Sequence, residues 1–179
     1  MFAANGTEEW THYLWVNEKS SLPATVAWFE ENGFIVKEFR ELSDDPLAVA
    51  KFYEYVDARR YGAADDLGKA YVLWCLGGVY LDLDVYLEHW DGELLHVFDS
   101  LFVKEDFGAY GVTLFNSDLV FARARHPILA YTLELFKEQF TPAGKDRIQV
   151  RPCFQGLHYI TPYDAGVYHM INAYVVKAW

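Results

Sequence analysis

The stretch ADDLGKAYVLWCLGGVYLDLDV, residues 64–85, decides the fold of this chain. Residues 65–76 have the apolar spacing of a helix, which Asp65 or Asp66 is expected to cap and which Gly77-Gly78 ends abruptly. Residues 79–87 then alternate between apolar and polar side chains, as a strand does when one of its faces is buried. A helix that leads directly into a half-buried strand in mid-chain is typical of an α/β fold.

The flanking sequence extends the same pattern. Residues 12–16 and 34–39 predict strands, while residues 22–32 and a stretch from Pro46 predict helices, so the first half of the chain should run β-α-β-α. Such alternation favours a mostly parallel central sheet. Further strands are expected at residues 100–103 and 119–122, and β-like pieces near residues 158–160 and 167–170. A helix is expected from Pro127 to Phe140. With no repeat or linker, residues 1–179 are interpreted as one domain.

Composition restricts the classes of partner. The net charge is −11, and such a surface repels the phosphate backbone, so general nucleic-acid binding is not expected. The longest apolar run, residues 71–81, is too short to span a bilayer, and the polar N-terminus does not have the pattern of a signal peptide. We therefore expect a soluble, cytoplasmic protein without a membrane span.

The pair Asp82 and Asp84 is the principal candidate for a chemical site. On the predicted strand the two residues face the same way, and their carboxylates repel each other unless solvent or a cation intervenes. Mn²⁺ or Mg²⁺, shared with a diphosphate, is the natural partner of such a pair. An isolated Asp-x-Asp is expected roughly once by chance in a chain this acidic, so the triplet alone also fits a solvated strand face.

The longer segment is more specific than the triplet. It resembles the sugar-binding region of the DXD glycosyltransferases, a group that includes the yeast Golgi initiating mannosyltransferases and the catalytic domains of the large clostridial glucosylating toxins. Two positions depart from the family pattern: Asp65 stands in place of a serine, and Lys69 in place of an arginine. The positions in register with the pattern are Asp66, Leu73, Gly77, Gly78, Tyr80, Leu81, Asp82 and Asp84.

The resemblance implies both a fold and an activity. The fold would be a minimal GT-A-like, Rossmann-like nucleotide-sugar-binding domain. The activity would be metal-dependent transfer of a sugar from a nucleoside diphosphate sugar to an unidentified acceptor, with retention of configuration. By the same resemblance Asp84 would ligate the metal, and Asp82 would contact the ribose or sugar and help to hold the metal. Asp66 and Lys69 would grip the donor sugar, although an ammonium cannot make the bidentate contact of a guanidinium.

Four further residues complete the predicted site. The donor is expected to be a uridine or guanosine diphosphate sugar. The uridine nucleotide is favoured because Trp15 matches a family position where tryptophan stacks on uracil; the alternative for Trp15 is a core tryptophan. Tyr80, inside the matched motif, is placed with the substrate-binding residues. Asn116 is a candidate for the acceptor side. His169 faintly resembles a family histidine near the metal and diphosphate, although a histidine in an apolar stretch is more often a core residue.

Two other classes of protein remain as alternatives. A degenerate glycosyltransferase would bind the nucleotide-sugar without turning it over, and the change at Lys69 favours that reading modestly. A haloacid-dehalogenase-type phosphatase also uses Asp-x-Asp after an apolar strand, with the first carboxylate attacking phosphorus. That family carries the motif near its N-terminus, whereas some eighty residues precede it here.

Overall fold

The computed structural model describes residues 10–107 and 112–140. The strand-like pieces predicted near residues 158–160 and 167–170 lie outside this part of the chain. None of the helices in the described part is long and apolar enough to cross a membrane. The elements run in the order β1 (Tyr13–Val16), α1 (Pro23–Glu31), β2 (Ile35–Glu38), α2 (Pro46–Asp57), α3 (Tyr61–Leu76), β3 (Gly78–Leu81), α4 (Leu94–Val97), β4 (Ser100–Phe107), β5 (Val112–Ala122) and α5 (Pro127–Phe140).

The strands form two small sheets. β1 and β2 pair in parallel, with Tyr13 opposite Ile35, and the connecting α1 makes this a β-α-β unit. In the second sheet β5 lies between β3 and β4 and is antiparallel to both. The mixed α/β class is thus confirmed, but a mostly parallel sheet is not. The helix–strand alternation that favours parallel pairing holds in the first half only, whereas only four residues separate the end of β4 from the start of β5.

Helix α3 begins earlier than the sequence pattern predicted. It starts at Tyr61, its N-cap position is Arg60, and no side chain caps it there. The expectation that Asp65 or Asp66 caps the helix is therefore wrong. The additional turn contains Ala63 and Ala64, both buried, so packing extends the helix beyond the part that carries a clear signal.

Strand β3 ends earlier than predicted. Its ladder with β5 runs from Gly78 to Leu81, and the next backbone hydrogen bond to β5 is the one from Asp82 N to Asp118 O at 2.9 Å. The chain then turns, with Val85 N donating to Asp82 O at 3.0 Å. Aspartate is favoured at the first position of such a turn. The alternation predicted that Asp82 and Asp84 share one face of a strand. This prediction is wrong, because both residues lie beyond the end of β3.

Helix α3 is the central helix of the core. Leu67, Ala70 and Tyr71 are fully buried, and they belong to a cluster with residues of α2 and Leu133 of α5. Burial of such a side chain stabilises the fold by roughly 1.5–3 kcal/mol. Leu73, near the end of the helix, belongs to a second cluster with residues of β5 and α5. This packing fixes the position of α3 relative to β3 and β5, the elements that carry the polar residues of the site.

Candidate functional site

The candidate site lies where α3 meets the C-terminal end of β3. Lys69 is the residue that joins the two elements, and its side chain is only 3% exposed. Asp65 and Asp66 precede it by four and three positions, so helix geometry places all three on one side of α3. Asp82 approaches from the end of β3. The predicted sugar-binding pair Asp66 and Lys69 therefore lies beside one member of the predicted metal-binding pair.

Among the described residues, the ammonium group of Lys69 has four polar neighbours. It lies 2.9 Å from Asp65 Oδ2, 3.3 Å from Asp82 Oδ1 and 3.5 Å from Asp66 Oδ1. Its fourth neighbour is Ser117 of β5, whose Oγ lies 3.4 Å away. An ammonium has three N–H donors, so these neighbours account for its donor capacity.

Tyr80 closes the group on the strand side. Its hydroxyl donates to Asp65 Oδ1 at 2.9 Å, and its ring lies 5.1 Å from Lys69 Nζ. Burial raises the pKa of Tyr80 well above its ordinary value, and the charges of Asp65 and Asp82 act in the same direction. The phenol therefore stays protonated and acts as a hydrogen-bond donor to the carboxylates.

In this group the Lys69 ammonium lies beside three carboxylates. Burial by itself lowers the pKa of Lys69, but the charges of Asp65, Asp66 and Asp82 outweigh that effect and raise the pKa above its ordinary value. Lys69 therefore keeps its proton at neutral pH and cannot act as a base there. Because one ammonium lies among three carboxylates, the group has an excess of negative charge even when one of the carboxylates is protonated.

Of the three carboxylates, Asp66 has the environment that is least favourable to a negative charge. Burial raises its pKa to about 7, even though Lys69 opposes the shift. The salt-bridge contact with Lys69 and the raised pKa are compatible because the ammonium lies closer to Asp65 and Asp82 than to Asp66. Asp66 is thus near the midpoint of its titration at neutral pH.

The two residues of the Asp-x-Asp triplet have different environments. Asp82 is 23% exposed and contacts Lys69, whereas Asp84, in the turn after β3, is exposed to solvent. The turn holds both residues just beyond the C-terminal end of β3. Asp84 therefore has an accessible carboxylate beside one that is anchored to the protein.

Two residues of this group were not predicted from the sequence. From the sequence, Asp65 is a departure from the family pattern and a candidate helix cap. The sequence points to Asn116 on β5, whereas the residue that contacts Lys69 is its neighbour Ser117. A signal existed for Asp65, because the two departures from the resembling pattern, Asp65 and Lys69, are one helical turn apart.

The remaining predicted residues lie elsewhere or outside the description. Trp15 lies on β1, in the other sheet, where it is half-buried against the main core cluster and stacks on Tyr13 with a ring separation of 6.5 Å. Asn116 lies on β5 opposite Val103, but its side chain is outside what the structure describes. His169 lies outside the described residues altogether.

The described residues also bear on the metal prediction. Within residues 10–107 and 112–140, no group of three or more His, Cys, Asp or Glu side chains is arranged to hold a metal ion by itself. Magnesium-type ions are commonly held by one or two carboxylates together with substrate phosphates. Asp82 and Asp84 are of the right chemical type for such a shared site.

Comparison with known proteins identifies the fold. No family model matches the chain, and no curated protein matches it. Among solved structures, the PaToxG glycosyltransferase matches with a TM-score of 0.51 and 15% sequence identity, over 89% of this chain and 52% of that chain. The chain thus has the fold of a glycosyltransferase and spans about half the length of that solved structure.

Proposed function

We propose that this chain binds a nucleoside diphosphate sugar and transfers the sugar to an acceptor. One observation carries the proposal: Lys69 Nζ contacts both Asp66, at 3.5 Å, and Asp82, at 3.3 Å. The two parts of the sugar-binding motif, separated along the chain, therefore form one group of side chains. The fold shared with a glycosyltransferase supports the same reading.

In this proposal the carboxylates recognise the sugar. Asp66 accepts hydrogen bonds from sugar hydroxyls, and Asp82 accepts from the ribose or the sugar. Lys69 acts mainly through these two carboxylates, because its ammonium already has four polar neighbours and almost no exposed surface. This favours the reading in which Lys69 fixes Asp66 by charge over the one in which it donates to a sugar hydroxyl.

Asp84, with Asp82, would hold a divalent cation at the diphosphate. Mn²⁺ or Mg²⁺ bound there would neutralise the charge that develops on the departing nucleoside diphosphate. Asp84 suits the role because it is exposed, and Asp82 because Lys69 fixes its position. His169 is retained as a third candidate ligand from the sequence alone.

The base and the stereochemistry rest on the family resemblance. Trp15 lies near the C-terminal end of β1 and would stack on the base, which favours a uridine nucleotide. Retention of configuration and a role for Asn116 toward the acceptor have the same origin. The acceptor itself is not identified.

Asp84→Asn tests the catalytic part of the proposal. We expect nearly complete loss of Mn²⁺-dependent release of nucleoside diphosphate from the donor, because the amide oxygen lacks the charge that attracts the cation. Asp84 is exposed, so the free energy of unfolding should change by no more than about 0.5 kcal/mol. Donor hydrolysis by the purified protein reports the first quantity and urea denaturation the second.

Asp57→Asn is the matched control, since it removes the same charge from an exposed position at the end of α2. Activity of Asp84→Asn within tenfold of the unaltered chain would contradict the metal role of Asp84. Tight binding of the donor without any release of nucleoside diphosphate by the unaltered chain would instead identify a binding module.

A further inference from the structure

Asp65 makes contacts that the proposed function does not use. One oxygen of its carboxylate accepts from Tyr80, and the other lies 2.9 Å from Lys69 Nζ, the shortest contact that the ammonium makes in the described group. The carboxylate thus ties the helix residue Lys69 to the strand residue Tyr80. Its own side chain is 50% exposed, so it lies at the solvent side of the group.

The position of the Lys69 ammonium depends on the carboxylates around it, of which Asp65 is the nearest. Lysine carries a compact charge on a flexible stem, so its position depends on the groups that surround the ammonium. Asp65 lies one helical turn before Lys69, the spacing at which an acidic residue pairs best with a following lysine.

We propose that Asp65 is a positioning residue, which holds the Lys69 ammonium where it can fix Asp82 and Asp66 for the donor. The inference rests on the proposed function, because the donor is the ligand whose binding reports the effect. A serine at position 65 would leave the ammonium without its nearest carboxylate. An arginine at position 69 would overfill the buried space while Asp65 is still present.

The test is a double-mutant cycle built from Asp65→Ser, Lys69→Arg and the double variant. The quantity compared is the dissociation constant for UDP-glucose with Mn²⁺, or for GDP-mannose if the guanosine nucleotides bind better. We expect each single variant to bind about tenfold more weakly. The double variant should bind at least about twentyfold more tightly than the product of the two single effects predicts, and therefore more tightly than Asp65→Ser.

Two controls separate positioning from a merely structural contact. If the pair of Asp65 and Lys69 only ties α3 to β3, the single variants should have a lower midpoint of thermal unfolding, while the donor affinity of the folded protein stays unchanged. The variant Asp57→Ser removes a carboxylate from an exposed position on α2 and should leave donor affinity within twofold. If Lys69→Arg alone does not fold, the comparison of Asp65→Ser with the double variant still reports whether arginine rescues binding.

The outcomes distinguish this inference from the function on which it rests. If the unaltered chain binds no nucleoside diphosphate sugar, the proposed function fails, and the inference fails with it. If the unaltered chain binds the donor and the two substitutions act independently, or the double variant binds no better than Asp65→Ser, only the inference is overturned.

Discussion

The contact between Asp66 and Lys69 follows from their spacing on α3, whereas the burial of Lys69 depends on other elements. Their spacing on a helix predicts that the two side chains are neighbours, and the structure confirms it at 3.5 Å. The burial of Lys69 was not predictable, because it depends on Ser117, 48 positions away, and on Asp82 beyond the helix. Local spacing identifies pairs within one element, whereas the environment of a pair is set by elements that fold against it.

The raised pKa of Asp66 predicts a specific pH dependence of stability. The folded pKa is about 7, above the ordinary value of 3.8, so the fold favours the protonated form. The contribution of Asp66 to stability is complete below pH 3.8 and is lost as the pH rises toward 7. Over that interval we expect the free energy of unfolding of the unaltered chain to fall by roughly 2–4 kcal/mol relative to that of Asp66→Asn. Urea denaturation of both proteins from pH 4 to pH 8 measures the difference.

Asp57→Asn serves as the control, since the exposed carboxylate at position 57 should not produce this dependence. Parallel stability curves for the unaltered chain and Asp66→Asn would show that Asp66 titrates as an ordinary carboxyl group.

The junction between α3 and β3 is the element-scale feature that the sequence predicts best. Gly77 and Gly78 end the helix as expected, with φ values of 68° and 103°. The end of β3 was placed too far along the chain, because the alternation of side chains continues to residue 87 although the ladder with β5 does not. Periodicity indicates which face of a segment is apolar, whereas a strand also requires hydrogen-bond partners for its backbone N–H and C=O groups.

Substitution of the two glycines separates backbone strain from crowding. A Cβ on Gly77 would lie 2.5 Å from Ala124 N, whereas a Cβ on Gly78 has no neighbour within 4 Å. Both alanine variants carry the strain of a positive φ, about 1–3 kcal/mol. Gly77→Ala must also displace the backbone near Ala124. Its free energy of unfolding, measured by urea denaturation, should therefore fall by at least about 1 kcal/mol more than that of Gly78→Ala. Equal losses would contradict the close approach.

At the scale of the whole molecule, charge sets the conditions for ligand binding. The chain has a net charge of −11, and its one buried cation in the candidate site is already shared by three carboxylates. A diphosphate placed near Asp82 and Asp84 would meet negative charge unless a divalent cation lay between them. The Asp-x-Asp motif leads to the same expectation from the sequence.

The most direct test of the proposed function is the thermal unfolding of the unaltered chain with UDP- and GDP-sugars, each with Mn²⁺ and with chelator. A ligand at a hundred times its dissociation constant stabilises the folded state by about 2.7 kcal/mol. For a chain of 179 residues this corresponds to a rise in Tm of roughly 5–10 °C. We expect such a rise for one class of nucleotide-sugar with Mn²⁺ and a much smaller one with chelator. No rise with any nucleotide-sugar, or an equal rise with chelator, would contradict metal-dependent donor binding.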